Sequence, residues 1–200
     1  MIGVINIGLG NVESVYKALR KLDYKYVHVN SSSDLEGVSK IIFPGVGTFK
    51  SAMENLTRAS LVVPLQQYLA DNRPYLGICL GMQLLATEGE EVGLTSGLAA
   101  IKGRVTKMEA TKNCRLPHVG WNVIDHNGEG LFDEIHEHSD FYFVHSYSLK
   151  LLEPVEYHEC NYFQKITAYV RKGNIHGCQF HPEKSQIAGL KLMENFLKNA

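Results

Sequence analysis

Short apolar strand patterns alternate with amphipathic helix patterns from the start of this 200-residue chain to Ala86. The strand patterns cover Gly3–Ile7, Tyr24–Val29, Lys40–Phe43 and Pro74–Ile78. Apolar residues at helical spacing lie between them, as in the set Val12, Val15, Tyr16, Leu19 and Leu22. Because parallel strands need crossover connections, this alternation predicts an α/β fold whose mostly parallel central sheet is flanked by helices on both faces.

The pattern changes after Ala86, where strand-like segments follow one another with Gly, Asn and charged turns between them. These segments are Arg104–Glu109, Val119–Asp125, Phe141–His145, Val155–Cys160, Thr167–Arg171 and Ile175–Gln179. A last helix is predicted to bury a face made of Ile187, Leu190, Met193 and Leu197. With no linker or repeat in between, we expect residues 1–200 to form a single domain with an antiparallel β extension.

Charge and composition exclude several classes of function. Twenty Lys and Arg residues against 21 Asp and Glu residues leave a net charge of −1, which argues against binding nucleic acid or an anionic membrane by bulk charge. No apolar run approaches the roughly 18 residues of a membrane span, and the N-terminus lacks the basic start of a signal peptide. We therefore expect a cytoplasmic protein with neither nucleic-acid nor membrane partners.

The four cysteines are Cys79, Cys114, Cys160 and Cys178, and no two of them form a C-x-x-C pair. This scatter predicts reduced thiols, and its spacing disfavours a zinc site. The segment Gly8-Leu9-Gly10-Asn11 suggests a dinucleotide loop, but the fingerprint fails at Glu13, and Asn30 replaces the acidic residue that holds a ribose. We expect no metal and no cofactor.

Cys79 stands in the pattern G-x-C-x-G, between Gly77 and Gly81, at the end of a buried strand and before a helix pattern. This is the thiol counterpart of the nucleophile elbow, in which small neighbours allow a sharp turn that exposes the nucleophile. A helix N-terminus behind the turn favours the thiolate. A buried core cysteine is the alternative; the other three cysteines lack such a context and are predicted to be structural.

Two further segments complete a possible acyl-transfer site. The strand pattern before His181 ends in His181-Pro182-Glu183, which supplies a base and an acceptor to orient it. The strand before Pro44-Gly45-Val46-Gly47 ends in glycines, which can free backbone N–H groups to face an oxyanion. Each segment alone is compatible with an ordinary turn. Together with the thiol elbow they predict acyl transfer through a thioester.

The motifs PGVGTF, GICLGMQ and QFHPEKS, in this order, resemble those of the class I, triad-type glutamine amidotransferases, a family with flavodoxin-like layers. Within that family, GLGNVESVYKAL at the start, LPHVGWN at 116–122 and FYFVHSY at 141–147 resemble the glutaminase subunits of imidazole glycerol phosphate synthases. The chain departs from other family members at the glycine loop, where a PGG sequence is usual and Val46 stands instead.

The resemblance implies that L-glutamine is the substrate and that Cys79 attacks its side-chain carboxamide. His181 would protonate the departing ammonia, and Glu183 would hold His181 in the productive tautomer. By the same resemblance, the oxyanion donors are the backbone around Val46 and Gly47 and that of Leu80. Residues implied to bind glutamine are Gln83, His145, Ser146 and Tyr147.

A glutaminase of this length needs a separate protein to consume its ammonia. The resemblance implies a heterodimer with a (β/α)₈-barrel cyclase subunit, which receives ammonia through an internal channel in histidine biosynthesis. The residues implied to meet this partner are Asn11, Pro117, His118, Trp121, Asn122 and Lys184. Trp121, the only tryptophan, suits an interface anchor as well as an ordinary core position.

Three alternatives remain open. A paralogous glutaminase could supply ammonia to a different synthase, for example one that amidinates a sugar. A cysteine hydrolase or deglycase-like protein could use the same fold without releasing usable ammonia, although His-Pro-Glu and His-Ser-Tyr segments would not be expected in it. A regulatory subunit with a decayed triad is disfavoured by intact Cys79, His181 and Glu183.

A last hypothesis is that the β-branched Val46 leaves the oxyanion donors misaligned until a partner binds.

Overall fold

The computed structural model describes residues 1–8, 12–110 and 115–199 of the chain. Its first half follows the predicted alternation of strands and helices. The elements are β1 (Ile2–Ile5), α1 (Val12–Lys21), β2 (Tyr26–Val29), β3 (Lys40–Gly45), α2 (Phe49–Arg58), α3 (Val62–Ala70), β4 (Tyr75–Cys79) and the one-turn α4 (Leu80–Gln83). Ser31 and Asp34 form a capping box at a short 3₁₀ helix, Ser32–Leu35.

The second half is mostly strands. They are β5 (Ala86–Gly89), β6 (Thr95–Ser96), β7 (Ile101–Lys107), β8 (His118–Asp125), β9 (Asp140–His145), β10 (Tyr147–Leu151), β11 (Glu156–Asn161), β12 (Lys165–Lys172) and β13 (Ile175–Cys178). A 3₁₀ turn at Pro182–Lys184 precedes the last helix, α5 (Gln186–Asn199). The 14 residues of α5 are the longest helical stretch in the described ranges, short of the roughly 20 that span a bilayer, and no described helix could cross a membrane.

The large sheet has nine strands in the order β2-β1-β3-β4-β13-β12-β11-β8-β9. Pairing from β2 to β13 is parallel, and pairing from β13 to β9 is antiparallel. The predicted parallel sheet with an antiparallel extension is thus confirmed. Sequence patterns missed β5, β6 and β10, which join β7 in a second, four-stranded sheet.

Successive side chains of a strand point to opposite sides of the sheet. Each parallel strand therefore has two faces to bury, and helices cover both. On β3, Ile42 packs in the core that contains α1 and α5, whereas Ile41 and Phe43 pack in the core that contains α2 and α3. The second core also holds residues of the four-stranded sheet. The carboxyl ends of β3, β4 and β13 therefore meet at one edge, between the two cores.

The buried face predicted for the last helix is wrong in part. Ile187 is 85% exposed, whereas Met193 and Leu197 are buried as predicted. Gly189 lies so close to the carbonyl of Pro182 that an added Cβ would collide with it. Because of this close approach, the side of α5 that carries Gly189 faces the core. The buried apolar residues of the helix are therefore Leu192, Met193, Phe196 and Leu197.

Candidate active site

Cys79 ends β4 in a strained backbone conformation, with φ 54° and ψ −107°. A positive φ at a non-glycine residue costs about 1–3 kcal/mol and persists only where its surroundings impose it. Gly77 and Gly81 allow it, because a Cβ at Gly77 would collide with the carbonyl of Gly81, and one at Gly81 with the carbonyl of Phe43. The predicted elbow is present. The helix behind it is only one turn long.

The glycine loop lies beside the elbow because β3 and β4 are paired in register, with Gly45 opposite Cys79. Gly47, two residues further on, has φ 119°, a conformation that favours glycine. Val46 is 40% exposed. Backbone groups of this loop and of Leu80 therefore flank the sulfur from two neighbouring strand ends.

A cavity of about 230 Å³ opens at the thiol of Cys79. Every residue that the sequence associated with an oxyanion or with glutamine lines it, namely Val46, Gly47, Leu80, Gln83, His145, Ser146 and Tyr147. Val144 and Glu91 complete the lining. Four larger cavities, among them one between α1 and α5 and one beside β8, do not include the thiol.

His181 follows β13, the strand next to β4, and therefore comes to the same edge of the sheet as Cys79. Its Nδ1 lies 2.8 Å from Oε1 of Glu183, and both side chains are 3% exposed. Burial alone would lower the pKa of His181, but the sulfur of Cys79 and the carboxylate of Glu183 outweigh burial and raise it to about 10. Its buried Nε2 has no hydrogen-bond partner in the described part of the chain.

Comparison with known families agrees with this geometry. The sequence model of the family "Glutamine amidotransferase class-I" matches residues 3–200. The chain belongs to this family. A solved structure described as "Crystal structure of glutamine amidotransferase" superimposes on the amidotransferase with a TM-score of 0.77 at 20% identity, covering 98% of this chain and 96% of the other. At that identity the likeness shows a shared fold.

Curated relatives of this amidotransferase carry more specific names. "Imidazole glycerol phosphate synthase subunit HisH 1" of Campylobacter jejuni subsp. jejuni serotype O:23/36 (strain 81-176) is 42% identical over 99% of this chain and 100% of its own length. The HisH subunit of Methanocaldococcus jannaschii is 43% identical over 99% of both chains. The chloroplastic "Imidazole glycerol phosphate synthase hisHF" of Arabidopsis thaliana is 39% identical over 98% of this chain, which corresponds to 34% of that longer protein.

Two residues near the thiol of the amidotransferase were missed by sequence reasoning. Gln179 is fully buried, and its Nε2 lies 3.6 Å from Sγ of Cys79. A polar residue on a buried strand end, two positions before His181, was a signal that could have identified it. Glu91 follows the unpredicted strand β5 and accepts a hydrogen bond from the N–H of Phe49 at 2.9 Å. Nothing in its local sequence distinguishes it.

The residues predicted to meet a partner divide between two faces of β8. Val119, Trp121 and Val123 alternate on the exposed face, and Trp121 is 46% exposed, so it is no core residue. Its ring meets Tyr142 edge to face at 5.8 Å, and Nζ of Lys184 lies 5.7 Å from the same Tyr142 ring. Trp121 and Lys184 thus belong to one exposed surface.

His118 lies on the opposite face of β8 and is 2% exposed. Burial of this side chain speaks against the predicted partner contact, because alternation along the strand turns it inward. The side chain of Asn122 donates to the carbonyl of Asn161 at 3.0 Å, and Pro117 is exposed. Asn11, together with most of the Gly8–Asn11 loop, lies outside the described residues.

Of the other cysteines, Cys160 and Cys178 are buried free thiols, and Cys114 lies outside the described residues. Burial raises the pKa of the Cys160 thiol to about 12 and that of Cys178 well above its usual range, so both favour the unreactive thiol form. In the described ranges no group of three or more His, Cys, Asp or Glu side chains is placed to hold a metal ion.

Proposed function

We propose that the chain is the glutaminase subunit of an imidazole glycerol phosphate synthase. It hydrolyses L-glutamine to glutamate and ammonia through a thioester on Cys79 and delivers the ammonia to a cyclase subunit for histidine biosynthesis. The observation that carries the proposal is the cavity at Cys79, lined by every residue expected to hold glutamine or its oxyanion. The names of relatives about 40% identical over nearly the whole chain support the choice of synthase.

The first half of the reaction forms the thioester. The raised pKa of His181 favours a protonated imidazole beside the sulfur of Cys79. The sulfur of Cys79 attacks the carboxamide carbon, a C–S bond forms, and the carbonyl oxygen becomes an oxyanion. As the C–N bond breaks, Nε2 of His181 gives its proton to the departing nitrogen, which leaves as ammonia. The hydrogen bond from Nδ1 to Glu183 keeps the proton-donating Nε2 oriented.

The second half releases glutamate. Neutral His181 takes a proton from water, whose oxygen attacks the thioester carbon through a second oxyanion. The C–S bond then breaks and the thiolate is restored. Backbone N–H groups of Gly47 and Leu80 would stabilise both oxyanions, and loss of one such donor typically costs about 10²–10³ in turnover.

Recognition of glutamine rests on the polar lining of the cavity. The carboxylate of Glu91 is the acidic group in that lining, and it complements the α-ammonium of an amino acid. Ser146 and Tyr147 contribute further polar groups to the lining. Gln83 is 5% exposed and its Nε2 is engaged by the carbonyl of Tyr147 and by Gln179, which makes it a support of the cavity.

The partner in this proposal is a (β/α)₈-barrel cyclase subunit, bound as a heterodimer and supplied through an internal ammonia channel. The exposed apolar row Val119, Trp121 and Val123, beside Lys184, is the surface that we assign to it. The Arabidopsis relative, named as a hisHF synthase and about three times as long as this chain, supports a close association of two such units.

The proposal extends to low basal activity. Val46 lines the cavity in the position between two glycines, and a β-branched residue restricts the backbone there. We infer that partner and nucleotide binding reorganise this loop to align the oxyanion donors. We also propose that the protein is cytoplasmic, where Cys79 stays reduced. We further propose that residues 1–200 form one domain. The large sheet, which is built from strands of both halves of the chain, supports this proposal.

The test is glutamate release from glutamine, measured for the chain alone and with a cyclase subunit plus its phosphoribosylated formimino-carboxamide nucleotide. Cys79→Ala is the blank, and Cys160→Ala is the matched control, because it removes a buried thiol outside the cavity. We expect stimulation of at least 100-fold (~2.7 kcal/mol) that is lost in Cys79→Ala and kept in Cys160→Ala.

Other outcomes would redirect the proposal. Activity that depends on Cys79 but ignores the cyclase would keep the glutaminase chemistry and favour a different ammonia consumer. Full activity of the isolated chain would contradict the hypothesis about Val46. No glutamate release under either condition would contradict the enzyme assignment and favour a regulatory subunit.

A further inference from the structure

Two buried histidines form a pair on the inner side of β8 and β9. Nδ1 of His118 lies 3.1 Å from Nε2 of His145, and the two residues are also partners in the strand register. His118 packs against the rings of Tyr162 and Phe143, with ring centroids 3.9 Å and 4.7 Å away. The mechanism above gives neither ring a chemical step, although His145 lines the cavity.

The hydrogen bonds assign a proton to each ring. Nδ1 of His145 lies 2.8 Å from the carbonyl of Tyr147, which can only accept, so Nδ1 carries hydrogen. Burial lowers the pKa of His145 to about 3, so the ring is neutral and its Nε2 is an acceptor. Nδ1 of His118 must therefore donate to it. Burial also lowers the pKa of His118 to about 4, which keeps this ring neutral as well.

The same carbonyl connects the pair to the nucleophile. Besides the bond from His145, the oxygen of Tyr147 accepts a hydrogen bond from Nε2 of Gln83 at 3.0 Å. The second hydrogen of that amide goes to Oε1 of Gln179, also at 3.0 Å. Nε2 of Gln179 in turn lies 3.6 Å from Sγ of Cys79. The polar groups thus form one continuous chain from β8 to the sulfur.

We propose that His118 is a positioning residue of the glutaminase reaction, which holds His145 and, through the Tyr147 carbonyl and Gln83, the wall of the glutamine cavity. This inference rests on the proposed function. The His118 ring does not touch the cavity, but its loss would leave Nε2 of His145 buried without a donor. The His145 ring would then be free to rotate, and the carbonyl that fixes Gln83 would lose its second bond.

The experiment compares two substitutions of equal shape at one position. His118→Asn keeps an amide N–H near the place of Nδ1, whereas His118→Leu has the same branched form and no donor. We expect His118→Leu to raise the KM for glutamine about tenfold with kcat changed less than threefold, and His118→Asn to stay within threefold of the parent. Tyr162→Phe, which keeps the stacked ring, is the control for packing and is expected to match the parent. All are assayed with the cyclase and nucleotide present.

A spectroscopic measurement needs no substrate. Long-range ¹H–¹⁵N correlation spectra of the histidine side chains should show His145 as the Nδ1–H tautomer in the parent, with an Nε2 shift typical of a hydrogen-bonded acceptor. In His118→Leu, that Nε2 shift should move toward the value of a free acceptor, and in His118→Asn it should return.

Equal losses in the Asn and Leu variants, or no loss in either, would overturn the proposal. An Nε2–H tautomer of His145 in the parent protein would overturn it too, even if the variants fail to fold. A parent chain that releases no glutamate would contradict the proposed function, and the tautomer and the Nε2 shifts would then decide the hydrogen-bond assignment separately.

Discussion

The nucleophile elbow, Gly77–Gly81, and the cavity wall, His145–Tyr147, face the same cavity but are held in place by different forces. At the elbow, backbone packs on backbone, since a Cβ at Gly81 would meet the carbonyl of Phe43. The wall is held by hydrogen bonds from side chains. His118 bonds to His145, 27 residues away, and Gln83 bonds to Tyr147, 64 residues away.

The difference has a physical consequence. Steric exclusion is insensitive to pH and fails abruptly when one atom is added, whereas a hydrogen-bonded wall depends on protonation and weakens by degrees. The elbow can therefore hold the strained φ of Cys79, and the wall can adjust to a substrate. Substitutions at the elbow should therefore cause abrupt losses, and changes at the wall should cause graded ones.

The largest effect on activity is expected at the His181–Glu183 pair, which lies next to both regions. Glu183→Gln keeps the shape but removes the charge that orients His181, so glutaminase turnover should fall about 10³-fold with little change in glutamine binding. Steady-state kinetics and a glutamine-binding measurement check this. Glu156→Gln, which removes a carboxylate from an exposed ion pair with Arg171, is the control and should stay within twofold. A comparable loss in both variants would contradict the assignment.

Gly81→Ala tests the elbow. The added methyl meets backbone atoms that cannot move aside, so the free energy of unfolding should fall by at least about 3 kcal/mol, and activity should be lost. Gly128→Ala is the comparison, because Gly128 has a positive φ of 74° and no atom within 4 Å of an added Cβ, so it isolates backbone strain from steric contact. It should cost only about 1 kcal/mol. Similar costs by urea denaturation would contradict the steric contact between an added methyl at Gly81 and the carbonyl of Phe43.

Acid tests the wall. The pKa of His118 is about 4 in the folded protein and about 6.5 in an unfolded chain, so the unfolded state binds a proton first as the pH falls. Folding stability should therefore decrease between pH 6.5 and pH 4, by up to about 3 kcal/mol from this residue. His118→Asn, measured by urea denaturation across that range, should show a shallower decrease. His145, which faces His118, keeps its own share of the slope. An unchanged slope would mean that His118 is not buried neutral.

The smallest effect on the isolated chain is expected at the exposed row of β8. Trp121→Ala should change the free energy of unfolding by about 0.5 kcal/mol or less, because the indole is half-exposed. Its affinity for the cyclase should nevertheless fall about 10- to 100-fold if the tryptophan is an interface anchor. Leu152→Ala, at an equally apolar residue that is 73% exposed, is the control. Titration of each variant with the cyclase measures the affinity. Equal affinities of the two variants would mean that the interface lies elsewhere.

The alternation of strand and helix patterns could be recognised without a structure, as could the elbow. Both depend on residues a few positions apart: apolar periodicity for the elements, and two glycines that flank Cys79. Such features were predictable because the decisive contacts are local.

The tertiary structure decided what depends on pairing between distant segments. The second sheet contains short strands such as β6. These segments are strands because they pair with distant segments, and their composition alone does not indicate it. Ile187 was misplaced because the close contact between Gly189 and Pro182 rotates the last helix. The contact of Gln179 with the sulfur, the position of Glu91 in the cavity and the inward direction of His118 depend on how distant segments pack together. Local sequence therefore specified the sharp turn at Cys79, whereas only the folded sheet specified the polar groups around it, because burial and hydrogen-bond partners are set by neighbours far away in the chain.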